Sequence, residues 1–180
     1  MRIKKFNDEV LYTDEDITRL NGRDMEELKQ KAQVNERERI RICAHHSVED
    51  KIHEMLIVHV RDAYVRPHKH LNKSESFHII EGLVDVIIFD DDGKIKEVIA
   101  MGDYSSGRPF YYRLSKSYFH TLIIHSDFLV FHETTSGPFD RAETIFAPWT
   151  PEEKDHDLCE EFFVRLKNKA EESRREQVKK

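Results

Sequence analysis

Apolar and polar positions divide the chain into three stretches. Residues 1–34 are mostly polar, and Asn21-Gly22 is a turn signal. After it, Met25, Leu28 and Ala32 fall on one face of a short helix over 24–32. From about residue 35 the period changes, and short runs rich in β-branched and aromatic residues recur between turn signals. The candidate strands are Arg37–Cys43, Met55–Asp62, Tyr64–His70, Phe77–Ile80, Leu83–Phe89, Lys94–Met101, Phe110–Arg113, Phe119–His125 and Phe128–Glu133. Asp90-Asp91-Asp92-Gly93 reads as a hairpin turn, and Gly82, Gly102 and Gly107 supply further breaks. No segment between 40 and 145 carries a helical period, so residues 35–150 predict an all-β sandwich or barrel. Over 151–180, Pro148-Trp149-Thr150-Pro151 leads into a helix whose Leu158, Phe162 and Leu166 dock its first turns on the barrel. Beyond Lys167 nearly every residue is polar, which predicts a frayed helical tail.

Composition narrows the partners. The formal charge of −6 argues against binding that rests on phosphate neutralisation of nucleic acid. No apolar run reaches the roughly 20 residues of a membrane span, and MRIKKFNDEV lacks the apolar stretch of a signal peptide. Two cysteines, Cys43 and Cys159, make no disulfide framework. The expectation is a cytoplasmic protein without nucleic-acid or membrane partners. Its unusual feature is 11 histidines.

Their spacing carries chemistry. His68 and His70 lie two apart on a predicted strand, so both imidazoles project from one face. Glu75 returns a carboxylate after a loop of four residues, and His120, on a strand some 50 residues later, is the best candidate for a fourth ligand. Three neutral nitrogens and one carboxylate suit a divalent transition ion with open positions, whether Fe, Mn, Ni, Co or Zn. A His-x-His pair alone is expected by chance roughly 0.6 times in a chain this rich in histidine. Adding Glu75 and Gly82 at their spacings lowers that to roughly 0.002, so the extended pattern is informative.

His68-x-His70-x4-Glu75-x6-Gly82 resembles the first metal motif of the cupin superfamily. That resemblance implies a double-stranded β-helix, or jelly-roll barrel, here with a short N-terminal helix and a C-terminal helix. The second cupin motif supplies Pro-x-Gly-x-x-His; here Ser115 and Ser117 stand at the Pro and Gly positions, and His120 at the ligand position. Further elements are similar to the WbuC family of cupin-fold metalloproteins. These are Tyr64-Val65-Arg66-Pro67-His68-Lys69-His70, Phe89-Asp90-Asp91-Asp92-Gly93, Gly137-Pro138-Phe139 and Ala147-Pro148-Trp149-Thr150-Pro151-Glu152. WbuC-like proteins accompany bacterial surface-polysaccharide genes, which implies a sugar or nucleotide-sugar substrate. Related barrels commonly dimerise, so the resemblance also implies a homodimer.

Strand parity extends the site. If the histidines point inward, Tyr64 and Arg66 do too. Arg66 is then a candidate to hold a substrate anion, or else part of a structural ion pair, and Tyr64 either orients substrate or packs. Glu133 closes a strand with bulky residues at both parities, so it is either an inward general base or a surface residue. Arg37, Arg39 and Arg41 alternate along one face, as a surface strand or as a mouth that binds the phosphates of a nucleotide sugar. Three function classes follow. The first is a metal-dependent enzyme, either isomerase- or epimerase-like or an Fe(II)-dependent dioxygenase. The second is a non-catalytic ligand-binding or sensor barrel. The third, a structural metal, is disfavoured because structural sites close their coordination, usually with cysteine.

Overall fold

Strands β1 (Ile3–Lys5) and β2 (Val10–Thr13) precede helix α1 (Gly22–Gln33). The barrel strands are β3 (Arg39–Cys43), β4 (Ile52–Val60), β5 (His68–His70), β6 (Glu75–Glu81), β7 (Leu83–Phe89), β8 (Ile95–Gly102), β9 (Tyr111–Leu114), β10 (Phe119–Ile124) and β11 (Phe128–Ser136). A short β12 (Thr144–Phe146) and a long helix α2 (His156–Gln177) close the chain, which this computed structural model describes over residues 2–177. The final three residues of the 151–180 segment lie outside the described residues.

The strands form two sheets, ordered β1-β2-β3-β4-β11-β6-β9 and β12-β5-β10-β7-β8. From β5 to β11 the chain passes repeatedly between them while all pairings stay antiparallel, which is the interleaving of a cupin-type jelly roll. The inner faces of both sheets meet in one apolar core that includes Met55, Ile57, Phe77, Val84, Val86, Leu122 and Phe131. Alternation sends the intervening residues outward. On the first sheet Ile42, Val58 and Val130 pack beneath Met25, Leu28 and Ala32 of α1. On the second, Ile87, Phe119 and Ile123 pack beneath Phe163, Leu166 and Ala170 of α2. The layers are therefore helix, sheet, sheet, helix.

A sharp β6–β7 connection rests on Gly82, whose φ of +99° is open to glycine. A Cβ at this position would lie 2.4 Å from the Phe128 carbonyl oxygen, so the tight approach of the two sheets' edges also requires it. Gly82 thus has a structural reason within the motif that singled it out.

Three departures from the sequence reading have physical causes. Strands β1, β2 and β12 were not foreseen, because they are short and two of them lie at sheet edges where no alternating apolar face is needed. The predicted strand from Tyr64 contracts to His68–His70, because residues 61–67 run irregularly from one sheet to the other. Helix α2 does not fray after Lys167: Ala170 is 1% exposed, and Arg174 pairs at 3.2 Å with Asp85, a fully buried carboxylate also held by His125 at 2.8 Å. Among the described residues no helix is long and apolar enough to cross a membrane.

Candidate metal centre

Register builds the centre. His120 on β10 lies directly opposite His68 on β5, and β5 places His70 two residues further along the same face. From the opposing sheet, Glu75 opens β6 and points into the same space. One ring nitrogen from each of His68, His70 and His120 lies within 4.8 Å of the others, and Glu75 Oε1 is 3.0 Å from His120 Nε2. Glu75 Oε2 stands 3.6 Å from His70 Nε2.

The outer nitrogens explain why the inner ones are available. His68 Nδ1 donates to the Arg66 carbonyl at 2.9 Å, and His120 Nδ1 donates to the Tyr118 carbonyl at 3.1 Å. A carbonyl can only accept, so a proton sits on Nδ1 and each Nε2 faces the centre, where the neutral ring offers it as a lone-pair donor. His70 Nδ1 meets the Thr144 hydroxyl at 3.1 Å, which serves as donor or acceptor. Glu75 is likewise fixed, because the buried Tyr112 hydroxyl donates to its Oε1 at 3.1 Å. Lone pairs and a carboxylate converging in a largely buried space repel one another unless a cation or a proton lies between them. This donor set fits a divalent ion.

Titration follows the same logic. Burial lowers His68, and the neighbouring His120 and His70 add to it, bringing it to about 3. Burial also lowers His70. Burial acts against the charged forms of Glu75 and His120, yet their mutual attraction holds the Glu75 carboxyl below the ordinary carboxylate range and raises His120. Tyr112 is raised well above the usual phenol value by burial and by Glu75, so it stays a donor.

Glu133 resolves the ambiguous parity of β11. It lies opposite Met55 on β4 and Phe77 on β6, both core residues, and therefore faces inward. Burial and the nearby Glu75 charge raise its carboxyl to about 8, while Arg41 and His120 oppose the rise. A small cavity of about 10 Å³ reaches the centre from outside, bounded by His70, Glu75 and His120 and by Lys73, Ser74, Leu114 and Lys116.

Other expected residues stand elsewhere. Tyr64 is not beside the ion site: its hydroxyl donates to the Pro151 carbonyl at 3.3 Å, and its ring meets Phe162 edge-on beneath α2. Arg66 is engaged outside the ligand set, giving Nε to the Thr150 hydroxyl at 3.2 Å with its guanidinium over Phe146, whose ring lies 6.2 Å from that of His68. Both corrections have one cause, since parity cannot be carried through an irregular segment. Arg37 and Arg39 are occupied by Glu9, at 3.0 and 3.1 Å, and by Glu153, so they form a structural clasp and not an open phosphate mouth. Arg41 shares the barrel-side face with Cys43, is exposed, and has no carboxylate partner among the described residues. Tyr112 and Thr144 were missed. Tyr112 had a readable signal, since alternation on β9 puts it on the face opposite Tyr111 and Arg113.

Residues 20–101 match the model of a domain of unknown function (DUF6016), a span that includes His68, His70 and Glu75 and stops before His120. A search of curated proteins finds no match. Among solved structures the chain is similar to protein SO0799 from Shewanella oneidensis, with 10% identity and a TM-score of 0.51 over 69% of this chain and 81% of that one. It also resembles the capsular polysaccharide assembling protein CapF from Staphylococcus aureus, at 17% identity and a TM-score of 0.45 over 54% of this chain. It spans about a quarter of that protein, 27% of its length. The Schizosaccharomyces pombe Cnp3 cupin domain matches at 12% identity and a TM-score of 0.44, over 57% of this chain and 68% of that one. At such identities the likeness concerns the fold alone.

Proposed function

We propose that this chain is a metal-dependent cupin enzyme that acts on a small polar substrate through one divalent transition ion held by His68, His70, Glu75 and His120. The observation that carries the reading is the orientation of the histidines: two have Nδ1 tied to backbone carbonyls, so that Nε2 lone pairs converge on a buried carboxylate. Cysteine is absent from the set, and four side chains leave coordination positions open, as a catalytic rather than a structural site requires. When bound, such an ion polarises a carbonyl or hydroxyl oxygen as a Lewis acid.

The chain's own residues supply the rest. Tyr112 keeps Glu75 in place without taking part in proton transfer, because its phenol stays protonated. Glu133 is the inward carboxyl whose proton is exchangeable near neutral pH, which suits a general acid or base. Tyr64, packed against α2, is withdrawn from that role. The WbuC resemblance directs the choice of substrate to sugars or nucleotide sugars of surface-polysaccharide metabolism, and an iron-loaded centre would direct it to dioxygenase chemistry. With Tyr64 packed against α2, a second reading also has support: a barrel that binds a small ligand without turnover.

The test is metal analysis of protein purified without added metal or a chelating tag, alongside His68→Ala and Glu75→Ala. About one ion per chain in the wild type, absent from both variants, is the expected result. A wild type that stays metal-free even after loading sinks the reading.

A further inference from the structure

The approach to the centre is cationic although the chain as a whole is not. The formal charge of the protein is −6, yet the opening is bounded by Lys73 and Lys116. Arg113 stands beside them and donates to the Ser74 hydroxyl at 3.1 Å on the same rim. Lys73 is already engaged: its ammonium lies 3.3 Å from Glu143 and donates to the Pro138 carbonyl at 2.9 Å. Lys116 differs, being exposed and without a carboxylate partner among the described residues.

Charge and space together select the ligand. Glu75 is the one carboxylate among the described residues lining the opening and faces the histidines, while Glu143 beside the rim is answered by Lys73. A divalent ion would outweigh that one negative charge, and Lys116 adds a further positive charge that the chain leaves unanswered. The passage of about 10 Å³ admits one water-sized group, so the body of a ligand stays on the rim, next to the ammonium. We propose that the centre takes an oxyanion, a carboxylate or phosphate oxygen presented past Lys73, with Lys116 pairing with the ligand's charge. This rests on the metal-centre reading above and adds the charge class of the ligand to it.

The experiment uses cobalt(II)-loaded protein, whose visible absorption reports changes at the ion. Sodium acetate, inorganic phosphate and neutral imidazole are titrated against the wild type, Lys116→Gln, Lys116→Arg and the remote control Lys154→Gln. In Lys116→Gln acetate or phosphate should bind about fivefold more weakly, the scale of one exposed ion pair. Imidazole affinity should not move, Lys116→Arg should restore the anion, and whichever anion responds identifies the source. Equal anion affinity in Lys116→Gln and wild type overturns the proposal, as does an equal loss in Lys154→Gln. Cobalt that binds with a spectrum indifferent to both anions overturns it while leaving the metal centre standing. A wild type that takes up no cobalt removes both.

Discussion

Two clusters of like groups stand level with opposite ends of β6, and they come to opposite resolutions. At the first, His68, His70 and His120 bring ring nitrogens within 4.8 Å of one another, with Glu75 beside them and, among the described residues, no lysine or arginine between them. At the second, Arg37 and Arg39 converge, and the chain itself supplies Glu9 and Glu153 between them. Both clusters are conspicuous in the sequence as regularly spaced residues of one kind. What separates a ligand site from a structural clasp is whether the complementary charge is already present in the fold. In the first it is missing and must come from solution; in the second, residues distant in sequence provide it.

The comparison breaks most sharply at the ligands. His120→Ala should lower metal affinity by more than about a hundredfold, beyond the loss typical of an outer partner, and equilibrium dialysis with zinc measures it. Tyr112→Phe should cost about 10- to 100-fold in the same assay. The ring keeps its packing against Phe77, at 5.1 Å between centroids, so unchanged thermal stability would assign the loss to the lost Glu75 hydrogen bond. If affinity is unaffected, Tyr112 merely packs.

Glu133 sharpens the contrast through pH. Its folded value of about 8 lies above the unfolded value, so the protonated form is favoured by folding. The associated stability is fully present below about pH 4.5 and is lost as pH rises through about 8. In metal-free protein Glu133→Gln should therefore match the wild type near pH 4.5. By pH 9 it should exceed it, by on the order of 2 kcal/mol for this half-buried group. Urea unfolding at the two pH values reads this out, and a constant difference would contradict the inward placement. The smallest effect belongs to the clasp: Arg39→Met should cost about 1 kcal/mol and leave zinc uptake unchanged. A double-mutant cycle with Glu9→Gln isolates the pair, and a change in zinc affinity would tie the two clusters together.

Much of this was legible because strand periodicity is a local property. The inward pairing of His68 with His70, and the return of Glu75, follow from alternation plus a short loop. The jelly roll follows from successive short strands together with the cupin resemblance. Legibility ended where the chain leaves the pleat. Tyr64 and Arg66 were carried inward on a strand that had not yet begun, and the partners of Arg37 and Arg39 come from sequence positions that no local pattern connects. Glu133 was ambiguous because both faces of β11 are buried, one by the barrel core and the other partly by α1, so apolar residues at both parities carried no direction.

Strand β10 has a consequence for how the protein tolerates truncation. His120 and Leu122 face the interior, while Phe119 and Ile123 are embedded in the layer that α2 covers. The imidazole is thus one side of a two-sided strand, and its aim depends on the other side remaining gripped. A chain cut before His156 would retain every metal-binding side chain yet expose the back of the strand that carries one of them. The C-terminal helix, remote from the chemistry, acts as a clamp that keeps the centre in focus.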